Sequence, residues 1–133
     1  MKSYSEINAA PKGGIEVRIE GNIMRIFFDF ERITYNVQEG EETITKKQFE
    51  SECIDVFGGR KYNDIVSAII NDHYSNDDVQ AIIANYTEAK EENTTSEELA
   101  PEKREEYIQE YNQFQEWRKK AKDVAKKVLD IIG

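Results

Sequence analysis

The chain has 133 residues and a mass of 15.5 kDa, which is the size of one ordinary domain. Its 18 Lys and Arg against 27 Asp and Glu give a formal net charge of −9, which argues against binding DNA or RNA through phosphate contacts. No apolar run approaches the ~18 residues of a membrane span, the first residues lack the apolar region of a secretory signal, and the single cysteine, Cys53, cannot form an internal disulfide.

The first elements predicted along the chain are two antiparallel strands. After an irregular lead-in over residues 1–14, apolar and polar residues alternate over residues 15–20, which is typical of a strand with one exposed face. Gly21-Asn22 is a candidate two-residue turn, and the alternation resumes over residues 24–30. Phe27 is an exception, because it is apolar on the otherwise polar face. The pattern predicts a β-hairpin.

The segment after the hairpin predicts further short strands. Residues 33–37 are β-branched and aromatic and favour a strand, and residues 38–41 form a polar turn. Residues 43–45 are a short strand candidate, and residues 49–57 are a last strand that Gly58-Gly59 ends. Because an isolated hairpin is marginally stable in water, we expect a meander of three to five strands.

Two short helices are predicted next. Asn63 or Asp64 caps a first helix that ends at Asn71. Ser75 and Asp78 have the spacing of a capping box at the start of a second helix. Apolar residues recur in this second helix at i, i+3, i+4 and i+7, which is the amphipathic pattern. We expect the two helices to form a helix–turn–helix unit that packs against the sheet.

A linker and one long helix complete the chain. Residues 91–100 are rich in Glu, Thr and Ser and are interpreted as a linker between a first unit, residues 1–90, and a helix over residues 101–133. Pro101 suits the first turn of a helix, and an uninterrupted helix of about 30 residues is about 45 Å long. Such a helix exceeds the size of the domain, so we expect it to pack across the sheet or to mediate self-association. The predicted fold class is therefore α+β, with an N-terminal antiparallel meander, two short helices and a long C-terminal helix.

Charge is unevenly distributed along the chain. Residues 1–100 hold 10 basic and 20 acidic side chains, whereas residues 101–133 hold 8 basic and 7 acidic ones. Six cations near the C-terminus surround a single acid, Asp123: they are Arg118, Lys119, Lys120, Lys122, Lys126 and Lys127. The dipole of the helix favours cations near its own C-terminus. The alternative interpretation is a contact surface for an acidic partner, such as the N-terminal part of another copy.

Aromatic residues form a stripe along the long helix. Tyr107, Tyr111, Phe114 and Trp117 recur at spacings of four and three, and Arg118 follows directly. Such a stripe is more often hydrophobic core than a ligand site. Because Tyr, Trp and Arg are favoured interface anchors, these five residues are also the candidate protein-contact set.

Residues that carry catalytic or metal chemistry are few. Cys53 and His73 would form a nucleophilic pair only if the fold brought them together, and zinc needs more Cys and His ligands than the chain has. The oxygen-rich residues 71–78 lack the Gly and distal Glu of a calcium loop, so helix capping explains them better. Residues 58–61 do not have the phosphate-loop pattern. We predict no catalytic, cofactor-binding or metal-binding residue, and a protein that is not an enzyme.

Two blocks of the sequence look like parts of a known group of proteins. Residues 61–86 and 106–125, together with the opening residues 4–9, resemble small proteins of prophages of gut bacteria that are encoded near tail genes. The helix that carries Phe114-x-x-Trp117-Arg118 is similar to the C-terminal helix of tail-fibre assembly and tail-chaperone proteins. The resemblance implies a non-enzymatic role in building or decorating a tail, in the bacterial cytoplasm or in the virion.

These observations lead to two functional hypotheses. The first is a structural or assembly protein of a phage-like particle, which acts through a protein partner or through self-association of the C-terminal helix, without nucleic-acid phosphate contacts and without a membrane. The alternative is an acidic inhibitor or decoy that mimics the charge of DNA, which rests on the acidic excess of residues 1–100. Acids in rows at phosphate spacing on one face would favour the alternative.

Overall fold

A computed structural model describes residues 1–91 and 99–133, and it shows an α+β fold. In chain order the elements are β1 (Lys2–Ser5), a 3-10 turn (Lys12–Gly14), β2 (Ile15–Glu20), β3 (Ile23–Glu39), β4 (Glu42–Phe57), α1 (Tyr62–His73), α2 (Asn76–Lys90) and α3 (Pro101–Ile132). The strands form one antiparallel sheet in the order β1-β4-β3-β2. The predicted fold class is confirmed, while most of the predicted linker at residues 91–100 lies outside the described residues.

Strands β3 and β4 are much longer than the sequence pattern predicts. The separate strands predicted between residues 33 and 57 are segments of these two continuous strands. A β-bulge shifts the register between Phe28 and Glu31, and Asp29 there adopts a φ of 55° in the left-handed region. The bulge interrupts the period-two alternation of β3 although strand pairing continues beyond it, which is why the pattern suggested that a strand ends near residue 30.

The lead-in that was expected to be irregular contains strand β1, so that expectation is wrong for its first residues. Lys2–Ser5 pairs antiparallel with β4, and Tyr4 lies opposite Glu50. Four residues are too few for a period-two pattern to be recognised. Pairing with β4, a contact distant in sequence, is what makes this segment a strand.

The starts of the two shorter helices differ in how well the sequence predicts them. Helix α1 begins earlier than expected, because Lys61 occupies the N-cap position and Asp64 accepts a hydrogen bond from the Lys61 backbone N–H at 3.1 Å. The capping box of α2 is confirmed. Its Asp78 backbone N–H donates to Ser75 Oγ at 3.0 Å, and the Ser75 N–H donates back to the Asp78 carboxylate at 3.1 Å.

One face of the sheet forms the hydrophobic core with α1 and α3. The buried residues are Ile15, Met24, Ile26, Phe28, Ile54 and Val56 from the strands, Ile65 and Ile69 from α1, and Ala121, Val124, Ala125 and Val128 from α3. The two alanines allow α3 to approach the sheet closely. Helix α3 is continuous over 32 residues and contacts α1, α2 and β2, so it packs across the sheet, which is one of the two arrangements expected for it. In the described ranges, no helix is long and apolar enough to cross a membrane.

The core assignment predicts a contrast between two isoleucines on helices. Ile69 in α1 is 0% exposed, whereas Ile83 in α2 is 46% exposed. We expect Ile69→Ala to lower the free energy of unfolding by about 2–5 kcal/mol, because it leaves a cavity in the core. The matched control Ile83→Ala should change it by about 0.5 kcal/mol or less. Denaturant unfolding followed by circular dichroism measures both, and equal effects would contradict the assignment.

Candidate functional site

Two residues of the predicted contact set join α3 to the end of α1. The Trp117 indole Nε1–H donates to the backbone carbonyl oxygen of Ile69 at 2.9 Å. The indole ring also stacks on the His73 imidazole, with centroids 3.6 Å apart and planes 4° from parallel. Phe114 is 4% exposed, and its ring meets Tyr74 edge-on at a centroid distance of 5.2 Å. Both side chains therefore pack within the chain.

The remaining members of the set differ in their surroundings. Tyr111 stacks on Tyr86 of α2, with centroids 3.6 Å apart and planes 8° from parallel. Tyr107 is half-buried, and the Lys103 ammonium lies 5.4 Å from its ring centroid. Arg118 is exposed. Three of the four predicted aromatic rings thus pack against other rings of the same chain, and contact of this set with another protein stays a prediction.

Replacing Trp117 tests its role in joining the helices. We expect W117A to lower the free energy of unfolding by about 3–5 kcal/mol, because it removes the indole packing and the hydrogen bond to Ile69. W117F keeps a ring and should cost less. Trp117 is the sole tryptophan, so unfolding is followed by circular dichroism instead of fluorescence. A W117A variant as stable as the wild type would contradict this role.

A buried carboxylate, Glu52, lies beside His73. Glu52 is 6% exposed, the Lys2 Nζ lies 3.1 Å from its Oε1, and the His73 Nε2 lies 3.4 Å from its Oε2. The Asp72 carboxylate is 3.6 Å from the same histidine nitrogen and pairs with the amino group of Met1. These groups form a cluster of ion pairs and close polar contacts where β1, β4 and α1 meet.

The same groups have the spacing of metal ligands. Glu52, Asp72 and His73 each place one ligand atom within 4.8 Å of the others. The carboxylates already have cationic partners, because Lys2 and the amino group of Met1 lie against them. A metal ion would have to displace these cations or bind against their electrostatic repulsion. We therefore interpret the cluster as ion pairs that compensate the burial of Glu52.

Two opposing effects act on the protonation of Glu52. Burial acts to raise its pKa, but the hydrogen bond and charge of Lys2, together with His73, outweigh burial and hold the pKa below its ordinary value of 4.5. The hydrogen bond to Glu52 is in turn the main cause of the raised pKa of Lys2. The carboxylate is thus held in its ionised form.

The lowered pKa of Glu52 predicts a pH dependence of stability. The ionised carboxylate stabilises the fold at pH values above its ordinary pKa of 4.5, and this contribution is lost as pH falls through the lower pKa of the folded state. The difference in unfolding free energy between wild type and E52Q should therefore shrink on going from neutral pH to about pH 3.

Introducing Lys2→Met into the wild type and into E52Q completes a double-mutant cycle. The coupling energy between the two side chains should be favourable at neutral pH and disappear in acid. A coupling energy that does not vary with pH would contradict the assignment.

The opposite face of the sheet holds a shallow cavity that the sequence analysis did not identify. Its volume is about 390 Å³. Phe27 lies at its floor, 7% exposed, with the Arg18 guanidinium 4.8 Å from the ring centroid. The Arg25 Nε–H donates to Asp55 Oδ1 at 2.8 Å beside it. Phe27, the apolar exception on the polar face, is the sequence signal that could have indicated this surface.

Cys53 also lines this cavity. Burial raises the pKa of its thiol, which disfavours the reactive thiolate. Successive side chains of a strand point to opposite faces, and the preceding residue, Glu52, contacts His73. Cys53 and His73 are therefore on opposite sides of the sheet and do not form the nucleophilic pair that the sequence left open.

Beyond the bulge, β3 and β4 continue as a two-stranded ribbon, residues 31–48, which we call the arm. Strand β1 pairs only with residues 49–52 and β2 only with residues 23–28, so neither flanks the arm. No core residue belongs to the arm. The eight steps from Glu31 to Glu39 give it a length of about 27 Å.

One face of the arm carries its apolar side chains, together with Lys46 and Gln48, which lie opposite Tyr35 and Ile33. Ile33, Tyr35 and Val37 are half-buried and alternate with exposed Thr34, Asn36 and Gln38. Ile44 lies directly opposite Val37 on β4 and is also half-buried. The hydroxyl group of Tyr35 donates to Glu6 Oε1 at 2.7 Å. This face extends past the part of the sheet that supplies the core.

The tip of the arm is acidic. Three exposed glutamates surround the turn: Glu39, Glu41 and Glu42. Gly40 in this turn has a φ of 67°, a conformation that glycine adopts without strain. Glu39 and Glu42 lie directly opposite each other in the strand register. We call these three carboxylates the acidic tip.

Comparison with known proteins does not add a family assignment. No protein-family model matches the chain, and no curated protein or solved structure matches it. Function is therefore inferred from the surfaces of the molecule and from the resemblance of the two sequence blocks.

Proposed function

We propose that the protein is a non-enzymatic structural or assembly protein of a phage or prophage tail that acts through protein contacts. The arm carries this proposal, because it extends about 27 Å beyond the bulge with an apolar face outside the core. A two-stranded ribbon is marginally stable in water by itself. The cross-strand pair Val37 and Ile44 gains full burial only against a further surface.

The base of the arm is fixed to the helical layer. The Lys120 Nζ donates to Asp29 Oδ1 at 2.8 Å, which joins α3 to the bulge where the arm begins. Together with the continuous backbone of β3 and β4, this exposed ion pair limits the directions in which the arm points. A pre-oriented arm loses less conformational entropy when it binds, so this arrangement favours a binding role.

The tail assignment is supported by the resemblance of residues 61–86 and 106–125 to prophage proteins encoded near tail genes. A protein of that kind acts in the bacterial cytoplasm during assembly or remains in the virion.

The charge-mimic alternative receives less support from the arrangement of ion pairs. On the open face of the sheet, Arg18 pairs with Glu16 at 3.0 Å and Arg25 pairs with Asp55 at 2.8 Å. Cations are thus interspersed among the acids of this face. A phosphate-like row requires consecutive acids without such partners, so this face does not fit the charge mimic.

The arm predicts which substitutions separate binding from folding. We expect I33T/V37T/I44T to reduce incorporation into tails at least tenfold, or ~1.4 kcal/mol, because it makes the apolar face polar while keeping β-branched residues in the strands. N36T/Q38T/K47T is the matched control, since it introduces the same residue at three exposed positions on the opposite face. It should leave incorporation unchanged.

The measurement is quantitative mass spectrometry of tails purified from a lysogen that expresses each variant, with circular dichroism to confirm folding. Absence of the wild-type protein from both tails and assembly intermediates would contradict the proposed function. Normal incorporation of the apolar-face variant would contradict the assignment of the arm.

A further inference from the structure

Four cations of α3 lie along one side of the helix without an acidic partner. They are Arg118, Lys119, Lys122 and Lys126, which we call the basic stripe. Residues three and four apart are neighbours on a helix surface, so these side chains form a continuous stripe about 12 Å long. Lys120 and Lys127 pair with Asp29 and Asp123 instead. Within residues 1–91 and 99–133, no member of the stripe forms an ion pair.

The acidic tip likewise lacks partners of opposite charge in the described part of the chain. In the part of the chain that the structure describes, none of Glu39, Glu41 and Glu42 forms an ion pair. Like charges directly opposite each other in a sheet destabilise it, and Glu39 and Glu42 are such a pair. A cationic partner would relieve this repulsion. The tip therefore gains from a positively charged surface at its end.

The two surfaces cannot meet within one molecule. Lys120 lies between Lys119 and Lys122 in the chain, so its ion pair with Asp29 shows that the base of the arm lies level with this part of α3. The tip lies about 27 Å further along the extended ribbon. That distance exceeds the reach of lysine and glutamate side chains, so the partner of each surface must come from another molecule.

We propose that the acidic tip of one copy docks on the basic stripe of a second copy. The inference rests on the proposed function, because it names the partner for one of the protein contacts made by the arm. A second copy is the favoured occupant because three unpaired carboxylates and four unpaired cations occur on the same chain. The two surfaces differ, so in a complex of two copies one copy keeps a free stripe and the other keeps a free tip. Such a head-to-tail contact builds rings or filaments.

A charge exchange between two variants tests this contact. The tip-reversed variant is E39K/E41K/E42K, and the stripe-reversed variant is R118E/K119E/K122E/K126E. The control E88K/E102K/E105K makes the same charge change as the tip variant at exposed positions on helices, away from the stripe. Light scattering after size exclusion measures the molar mass of each protein and of mixtures, over a range of concentrations and at low and high salt.

We expect the wild type to form oligomers at low salt that weaken at least tenfold in high salt, because salt screens exposed charges. Each reversed variant alone should be monomeric, because its tip and stripe then carry the same sign. An equimolar mixture of the two should regain oligomers, since each tip then meets a stripe of opposite charge. The control should associate like the wild type.

Several results would overturn the contact. They are a wild type that is monomeric at every concentration, a mixture that stays monomeric although both variants are folded, and a control that loses association as fully as the tip variant. Should a multiple variant fail to fold by circular dichroism, the single exchange of E41K with K122E provides the same comparison. Binding of the arm to tails is measured separately with the apolar-face variant, so failure of self-association and failure of the proposed function give different results.

Discussion

The burial of one face of the β3–β4 hairpin under α1 and α3 is the constraint on which the rest of the structure depends. Ala121 and Ala125 are small enough to bring α3 close to the sheet, and Ile65 and Ile69 place α1 beside it. Trp117 then reaches α1 and donates to its backbone. Because these contacts fix α3 over the strands, Trp117 and Phe114 pack at the end of α1 and Tyr111 packs against α2.

The bulge at Asp29 divides the hairpin into two parts with different roles. On one side, strands β1 and β2 flank the hairpin and the helices cover it, so the apolar face is core. On the other side, the same two strands continue as the arm without flanking strands. In the arm the two strands lack this cover, but one of their faces still carries apolar side chains. Exposure of apolar surface to water is unfavourable. That surface is the physical reason for proposing a binding role for the arm.

Paired and unpaired charges are segregated in the molecule. Glu52 is buried, and Lys2 and His73 surround it, so its charge stabilises the junction of β1, β4 and α1. The acidic tip is exposed, as is the basic stripe except for the half-buried Lys122, and neither forms an ion pair in the described part of the chain. Compensation of buried charge is a condition for folding. Exposed charges do not need a partner for the chain to fold. They can therefore determine binding to a partner of opposite charge.

The sequence by itself determined the α+β class, the capping box of Ser75 and Asp78, and the long helix from Pro101, because each depends on residues close together in the chain. The aromatic stripe was also recognisable from its spacing, as was Phe27 as an exception on its strand. Only the tertiary structure decided that residues 2–5 form a strand, that the short strands predicted over residues 33–37 and 43–45 belong to an arm beyond the bulge at Asp29, and that Glu52 meets His73. Each of these depends on pairing between segments distant in sequence, and local periodicity carries no information about such pairing.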